Sequence, residues 1–114
     1  MPPLILNVCF YRSTSGREPV REWLKRELSL GARQAIGADI KTVQEGWPLG
    51  MPLVRKLDTQ LWEVRSHAPE GIARVLFTLV EADMVLLHGF TKKSGKTPQD
   101  DLALAKQRRN EVHA

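Results

Sequence analysis

The spacing of apolar and polar positions changes character twice along the chain. Residues 4–11, Leu-Ile-Leu-Asn-Val-Cys-Phe-Tyr, form a short apolar run with β-branched and aromatic members. Such a run reads as a buried strand. Arg12-Ser13-Thr14-Ser15-Gly16 is a loop, and a helical period follows. Glu18 then Pro19 opens a helix, with proline in its first turn. Val20, Trp23, Leu24 and Leu28 share one face; Arg21, Glu22, Lys25 and Arg26 hold the other. Ser29 can cap a second helix, whose stripe is Ile36, Ile40, Val43 and Trp47 and whose end is marked by Gly46 and Pro48. Gly37 costs about 1 kcal/mol against alanine in an exposed helix. Its presence suggests close packing on the first helix, and the two helices are expected to pair as an antiparallel hairpin.

After Gly50-Met51-Pro52 the period shortens to two. Residues 54–57 and 61–67 read as one strand broken near Asp58-Thr59. A turn at Ala68-Pro69-Glu70-Gly71 leads to a strand over 72–81, and Ala82-Asp83 leads to another over 85–91. Short links between successive strands predict an antiparallel three-stranded meander. Residues 72–80 and 84–87 are apolar on both faces. The helix pair accounts for one face, so the C-terminal segment or a partner protein must cover the other. Thr97-Pro98-Gln99-Asp100 has the form of a helix start with a threonine cap. That helix should run to about Glu111 and dock loosely, because its stripe of Leu102, Ala105, Arg109 and Val112 is only weakly apolar. The expected fold class is α+β in a single domain over 1–114: N-terminal strand, two-helix hairpin, meander, C-terminal helix.

Composition narrows the function classes. With 114 residues, 42% of them hydrophobic, the chain can build one core without staples. Its one cysteine, Cys9, lies in an apolar run and reads as a small buried hydrophobe rather than a nucleophile. No apolar run approaches the roughly 18 residues that span a bilayer. The start lacks a charged leader. A cytoplasmic, soluble protein is expected. The net charge of +4 favours an acidic partner, and residues 84–99 hold Lys92, Lys93 and Lys96 with no acid among them.

Several chemistries are missing. His67, His88 and His113 have no companions at metal-ligand spacing, so neither a metal site nor a cofactor is expected. There is no phosphate-cradling glycine loop and no nucleophile with a matching histidine. Positive charge beside strands remains. Leu61, Glu63 and Arg65 share one strand face by alternation. If 68–71 closes a hairpin, Arg65 and Arg74 pair across it. Two adjacent guanidiniums repel unless an anion sits between them, and phosphate suits them well. Glu63 or Asp58 could equally neutralise them as a structural ion pair. Arg55 and Lys56 precede the first meander strand, and Lys92 and Lys93 follow the last. A lysine pair alone is ordinary surface; three basic pairs at one sheet suggest more. By alternation His88 shares a face with Met84, Leu86 and Phe90. A histidine so placed is more often a packed core residue than a catalyst.

The order of these pieces resembles a family. Leu61-Trp62-Glu63-Val64-Arg65, Ala73-Arg74-Val75-Leu76-Phe77, Leu87-His88-Gly89-Phe90-Thr91-Lys92-Lys93-Ser94, Lys96-Thr97-Pro98, and Ala105 with Arg108 are together similar to phage-derived HigB-like toxins of the RelE superfamily. Arg55-Lys56-Leu57 and the N-terminal strand and helices match as well. The resemblance implies an mRNA interferase, the toxin of a type II toxin–antitoxin system, that enters the ribosomal A site and cuts the codon there. It also implies a helix-turn-helix antitoxin, with operator DNA reached through the complex of the two. Carried onto this chain, Arg65 and Arg74 would hold and polarise the scissile phosphate. Arg55, Lys56 and Lys96 would bind RNA; Lys92, Lys93 or His88 would handle a proton. Some members carry a tyrosine or histidine near the end of the last strand, where this chain has Phe90-Thr91-Lys92. A non-catalytic basic module, binding nucleic acid or an antitoxin, is the alternative.

Overall fold

The computed structural model describes residues 5–92 and 95–114. Strand β1 (Asn7–Phe10) leads into helices α1 (Pro19–Arg26) and α2 (Leu30–Gly46). Strands β2 (Val54–Asp58), β3 (Leu61–Ala68), β4 (Gly71–Val80) and β5 (Asp83–Lys92) follow, and helix α3 (Gln99–Val112) closes the chain. The expected α+β class is found. The sheet order is β1-β5-β4-β3-β2, with β1 parallel to β5 and every other pair antiparallel. The segment read as one broken strand is two, β2 and β3, so the meander has four strands rather than three. Gln60 makes the reversal with φ of 53°, in the left-handed region.

The first two helices form where their patterns say. Pro19 stands at the start of α1. The Ser29 hydroxyl accepts from the Ala32 amide at 3.1 Å to cap α2. It also donates to Glu70 in the β3–β4 turn, which ties the helix start to the sheet. The helices pack chiefly on the sheet, α1 over β5 and β1 and α2 over β3. Gly37 is exposed, and a Cβ there would meet open space. It marks no close packing, contrary to the sequence reading. Close approach occurs instead at Gly89, where a Cβ would lie 2.4 Å from the Trp23 ring.

Two apolar clusters lie on opposite faces of the sheet. Under the two helices are Val20, Ile36, Val43, Trp47, Val64, Val75, Phe77 and Leu86, among others. The Phe77 ring stacks on Trp62, and Trp47 meets both edge-on. A smaller cluster on the far face joins Tyr11, Leu61, Leu76 and Leu87 to Ala105 of α3. The C-terminal helix is thus the cover that the two-faced apolar strands require. Its docking is largely polar. Arg109 donates to Asp58 and to the Thr59 carbonyl at 2.7 Å each, His113 meets Thr78 at 2.8 Å, and Tyr11 donates to Glu111 at 2.9 Å. These contacts replace the loose apolar docking that the stripe suggested. Thr97 is not the cap: α3 begins after Pro98 with no side-chain cap, and the Thr97 hydroxyl turns inward.

Candidate functional site

On the α3 side of the sheet, Arg65 of β3 stands directly across from Arg74 of β4. The pairing expected from the hairpin is found. Arg55 lies across from Glu63 on the next strand pair. Glu63 is fully buried between the two arginines, 3.9 Å from Arg65 Nε and 3.9 Å from Arg74 Nη1. Its Oε1 accepts from Thr97 at 2.7 Å. These ion-pair distances exceed hydrogen-bond length. Glu63 Oε2, Arg65 Nε, and Nε and Nη1 of Arg74 are buried without a hydrogen-bond partner among the described residues. Asp58, the other carboxylate considered, is occupied by Arg109 and Lys106.

The two arginines differ in access. Arg65 keeps 22% of its side chain exposed, whereas Arg74 keeps none. Arg74 Nη2 donates to the Gly95 carbonyl at 2.6 Å, and its guanidinium lies 5.9 Å from the centre of the Phe90 ring. Burial pushes the Arg74 pKa down, and repulsion by Arg65 and Arg55 adds to this against the pull of Glu63. The Arg65 guanidinium is thus partly open to solvent, whereas that of Arg74 is enclosed. Residues 95–97 lie over the second guanidinium, Gly95 through its carbonyl on Arg74 and Thr97 through its hydroxyl on Glu63.

The register of β5 moves a further residue. Leu76 stands across from His88 while Phe77 stands across from Leu86, so Leu87 is an extra, bulged residue. The bulge reverses the alternation. Met84 and Leu86 face the helix pair, while His88 and Phe90 join the arginine face, contrary to simple alternation. His88 Nε2 lies 2.6 Å from Asp101 Oδ1 in the first turn of α3, and its ring stacks on Phe90. Asp101 escaped the sequence reading because nothing in the spacing of 88 and 101 signals a contact.

The remaining basic residues divide. Lys92 stands across from Ile72 at the end of β5, and its ammonium donates to the Lys96 carbonyl at 3.4 Å. Lys56 is not at the site. Strand alternation places it on the other face, 5.8 Å from the centre of the Trp62 ring. Lys93 lies outside the described residues. Among the described residues no group of three His, Cys, Asp or Glu could hold a metal ion, and no helix is long and apolar enough to cross a membrane. Cys9 is half-buried, and burial followed by the charge of Asp83 pushes its thiol up, which fits a packing residue.

Residues 22–110, well over half of the chain, match the family model described as Phage derived protein Gp49-like (DUF891). The chain belongs to the Gp49-like family of phage-derived proteins. The Gp49-like match includes Arg55, Arg65, Arg74, His88, Lys92 and Asp101, and so the whole arginine face. No curated protein matches the chain.

Proposed function

We propose that this Gp49-like chain is the toxin of a type II toxin–antitoxin pair, an endoribonuclease that cuts mRNA in the ribosomal A site and so inhibits translation in the cytoplasm. The observation that carries the reading is the Arg65–Arg74 pair, which shares one carboxylate and leaves Arg65 open to an anion. The α+β order of elements, compatible with the RelE-like fold that the sequence resemblance implies, supports it.

The chemistry has three parts. Negative charge gathers on the scissile phosphate, the 2′-hydroxyl loses a proton, and the departing 5′-oxygen gains one. Arg65 supplies paired donors to the phosphate, with Arg55 beside it and Arg74 adding charge from below. Electrostatic stabilisation of this kind is often the largest catalytic contribution. Guanidinium holds its protons too tightly to act as acid or base. Those roles fall to His88 and Lys92. With Nε2 held by Asp101, His88 has its other ring nitrogen to receive the 2′-hydroxyl proton. Lys92 is exposed and can donate to the leaving oxygen. A helix-turn-helix antitoxin is the expected inhibitor.

Expression of the wild-type chain should stop growth and yield ribosome-dependent mRNA cuts, and Arg65→Ala should remove both while the protein remains folded. Toxicity that survives Arg65→Ala refutes this assignment. The burial of Arg74 favours a second reading, a non-catalytic module whose basic face binds nucleic acid or an antitoxin. Wild-type expression without arrest or cuts selects that one.

A further inference from the structure

The pairing of β1 with β5 ends at Phe10 and Leu86, and the chain turns away after the Tyr11 amide bonds the Leu86 carbonyl. Beyond that point β1 no longer borders β5. Arg108 of α3 fills the gap, its Nη1 donating to the Leu87 carbonyl at 2.8 Å. The guanidinium lies 5.2 Å from the centre of the Tyr11 ring. Burial lowers its pKa, partly offset by Tyr11 and Glu111. Glu111 does not form an ion pair with it; that carboxylate accepts from the Tyr11 hydroxyl. Among the described residues no carboxylate lies within 4.0 Å of Arg108. Capping one carbonyl uses one of the five N–H groups of a guanidinium.

The same arginine lines a groove of about 510 Å³ with Ser13, Arg17, Trp23, Arg26 and the acids Glu22 and Glu27. Glu22 is already shared by Arg17 and Arg26. The groove therefore holds three arginines against two carboxylates: a partly buried Arg108 with no carboxylate within 4.0 Å, two rim arginines that share Glu22, the second acid Glu27, and an indole in its wall. Lys92 is five residues along β5 from Leu87, about 17 Å at strand rise.

We propose that this groove is a second anion subsite, taking a phosphate of a single-stranded RNA that also passes the Arg65 side. This rests on the RNA-cutting reading above. Guanidinium matches phosphate oxygens with paired hydrogen bonds, and an aromatic wall beside a basic groove accepts bases without regard to sequence.

The test is a fluorescence-anisotropy titration of the full chain with a labelled 2′-O-methyl hexaribonucleotide, which cannot be cut, over a series of salt concentrations. Arg108→Gln removes the charge and keeps a donor for Leu87. Arg26→Glu changes an exposed rim side chain and its pairing with Glu22, away from the sheet, and covers the case in which the Arg108 variant fails to fold. Arg33→Glu, exposed on α2 away from the groove lining, makes the same change in net charge. Each groove variant should weaken binding about tenfold. Each should also reduce the slope of log affinity against log salt by about one. Arg33→Glu should leave that slope unchanged. Equal effects of Arg26→Glu and Arg33→Glu mean that only overall charge matters and overturn the subsite. Binding of an acidic peptide but not of RNA in the groove also overturns it. Failure of the two proposals can be told apart. Loss of mRNA cutting in Arg65→Ala with no change in the groove titrations overturns the subsite alone, while full toxicity of Arg65→Ala overturns the RNA-cutting assignment instead.

Discussion

The two faces of the sheet solve different problems with the same strands. Beneath α1 and α2, β3, β4 and β5 present Trp62, Val64, Val75, Phe77 and Leu86 to an apolar layer. On the α3 side the same strands present Glu63, Arg65, Arg74, Thr78 and His88 around a small apolar cluster. The first face is satisfied by close packing alone, which carries most of the stability of a domain this size. The second contains buried charge with unpaired donors, which close packing cannot compensate. Such a face is poor as a core, and its worth lies in what it can attract.

The sharpest way to break this comparison is to remove the centre of the apolar face. Phe77→Ala should cost about 3–5 kcal/mol in denaturant unfolding, a large part of the whole. A loss below 1 kcal/mol would show that the stability lies elsewhere. Next in size comes the charged face. Glu63→Leu strands the buried Arg74 guanidinium, takes the carboxylate from Arg65 as well, and should cost about 3 kcal/mol. Adding Arg74→Met should restore much of that loss, since well-packed apolar replacements of buried ion pairs are often neutral. A double-mutant cycle measures the coupling, and simple additivity of the two losses would contradict the ion-pair description. Smaller again is Gly89→Ala, whose methyl group would press into the Trp23 ring and should cost about 1–3 kcal/mol. Tryptophan fluorescence and a melting curve report it together.

The smallest effect is one of pH. The hydrogen bond from Arg109 holds the Asp58 carboxyl below its usual range, with backbone donation at Thr59 adding to it. The Ser29 hydroxyl does the same for Glu70. Each folded-state pKa lies below its unfolded value, so these contacts stabilise the fold above the ordinary carboxylate range. That stabilisation is lost as pH falls through the range and below it. The melting temperature should decline between about pH 5 and pH 3. Asp58→Asn should flatten part of this decline, and an unchanged profile would show that the α3 fastening contributes nothing.

Much of this was legible from local pattern. The helix starts at Pro19 and Ser29, the turn at 68–71 and the register of Arg65 on Arg74 all follow from signals within a few residues of each other. The reversal at Thr59-Gln60 was not legible, because neither residue is a glycine or asparagine that would announce a left-handed turn. The bulge at Leu87 has no sequence mark either, and a one-residue shift is enough to carry His88 to the other face. Arg109 read as one position in a weak apolar stripe, yet it fastens α3 to Asp58 across 51 residues.

The sequence by itself determined the α+β class, the basic character of the β-sheet and the cross-strand arginine pair, because each arises from short-range periodicity and turn chemistry. Only the tertiary structure decided which cation is open and which is roofed. Arg65 and Arg74 are equivalent in pattern, but the chain returning through Gly95 and Thr97 covers one and leaves the other at the surface. It also brought Asp101 to His88 and Arg108 to Leu87. These are contacts between segments whose meeting is set by how α3 packs, and packing is a property of surfaces that no local spacing encodes.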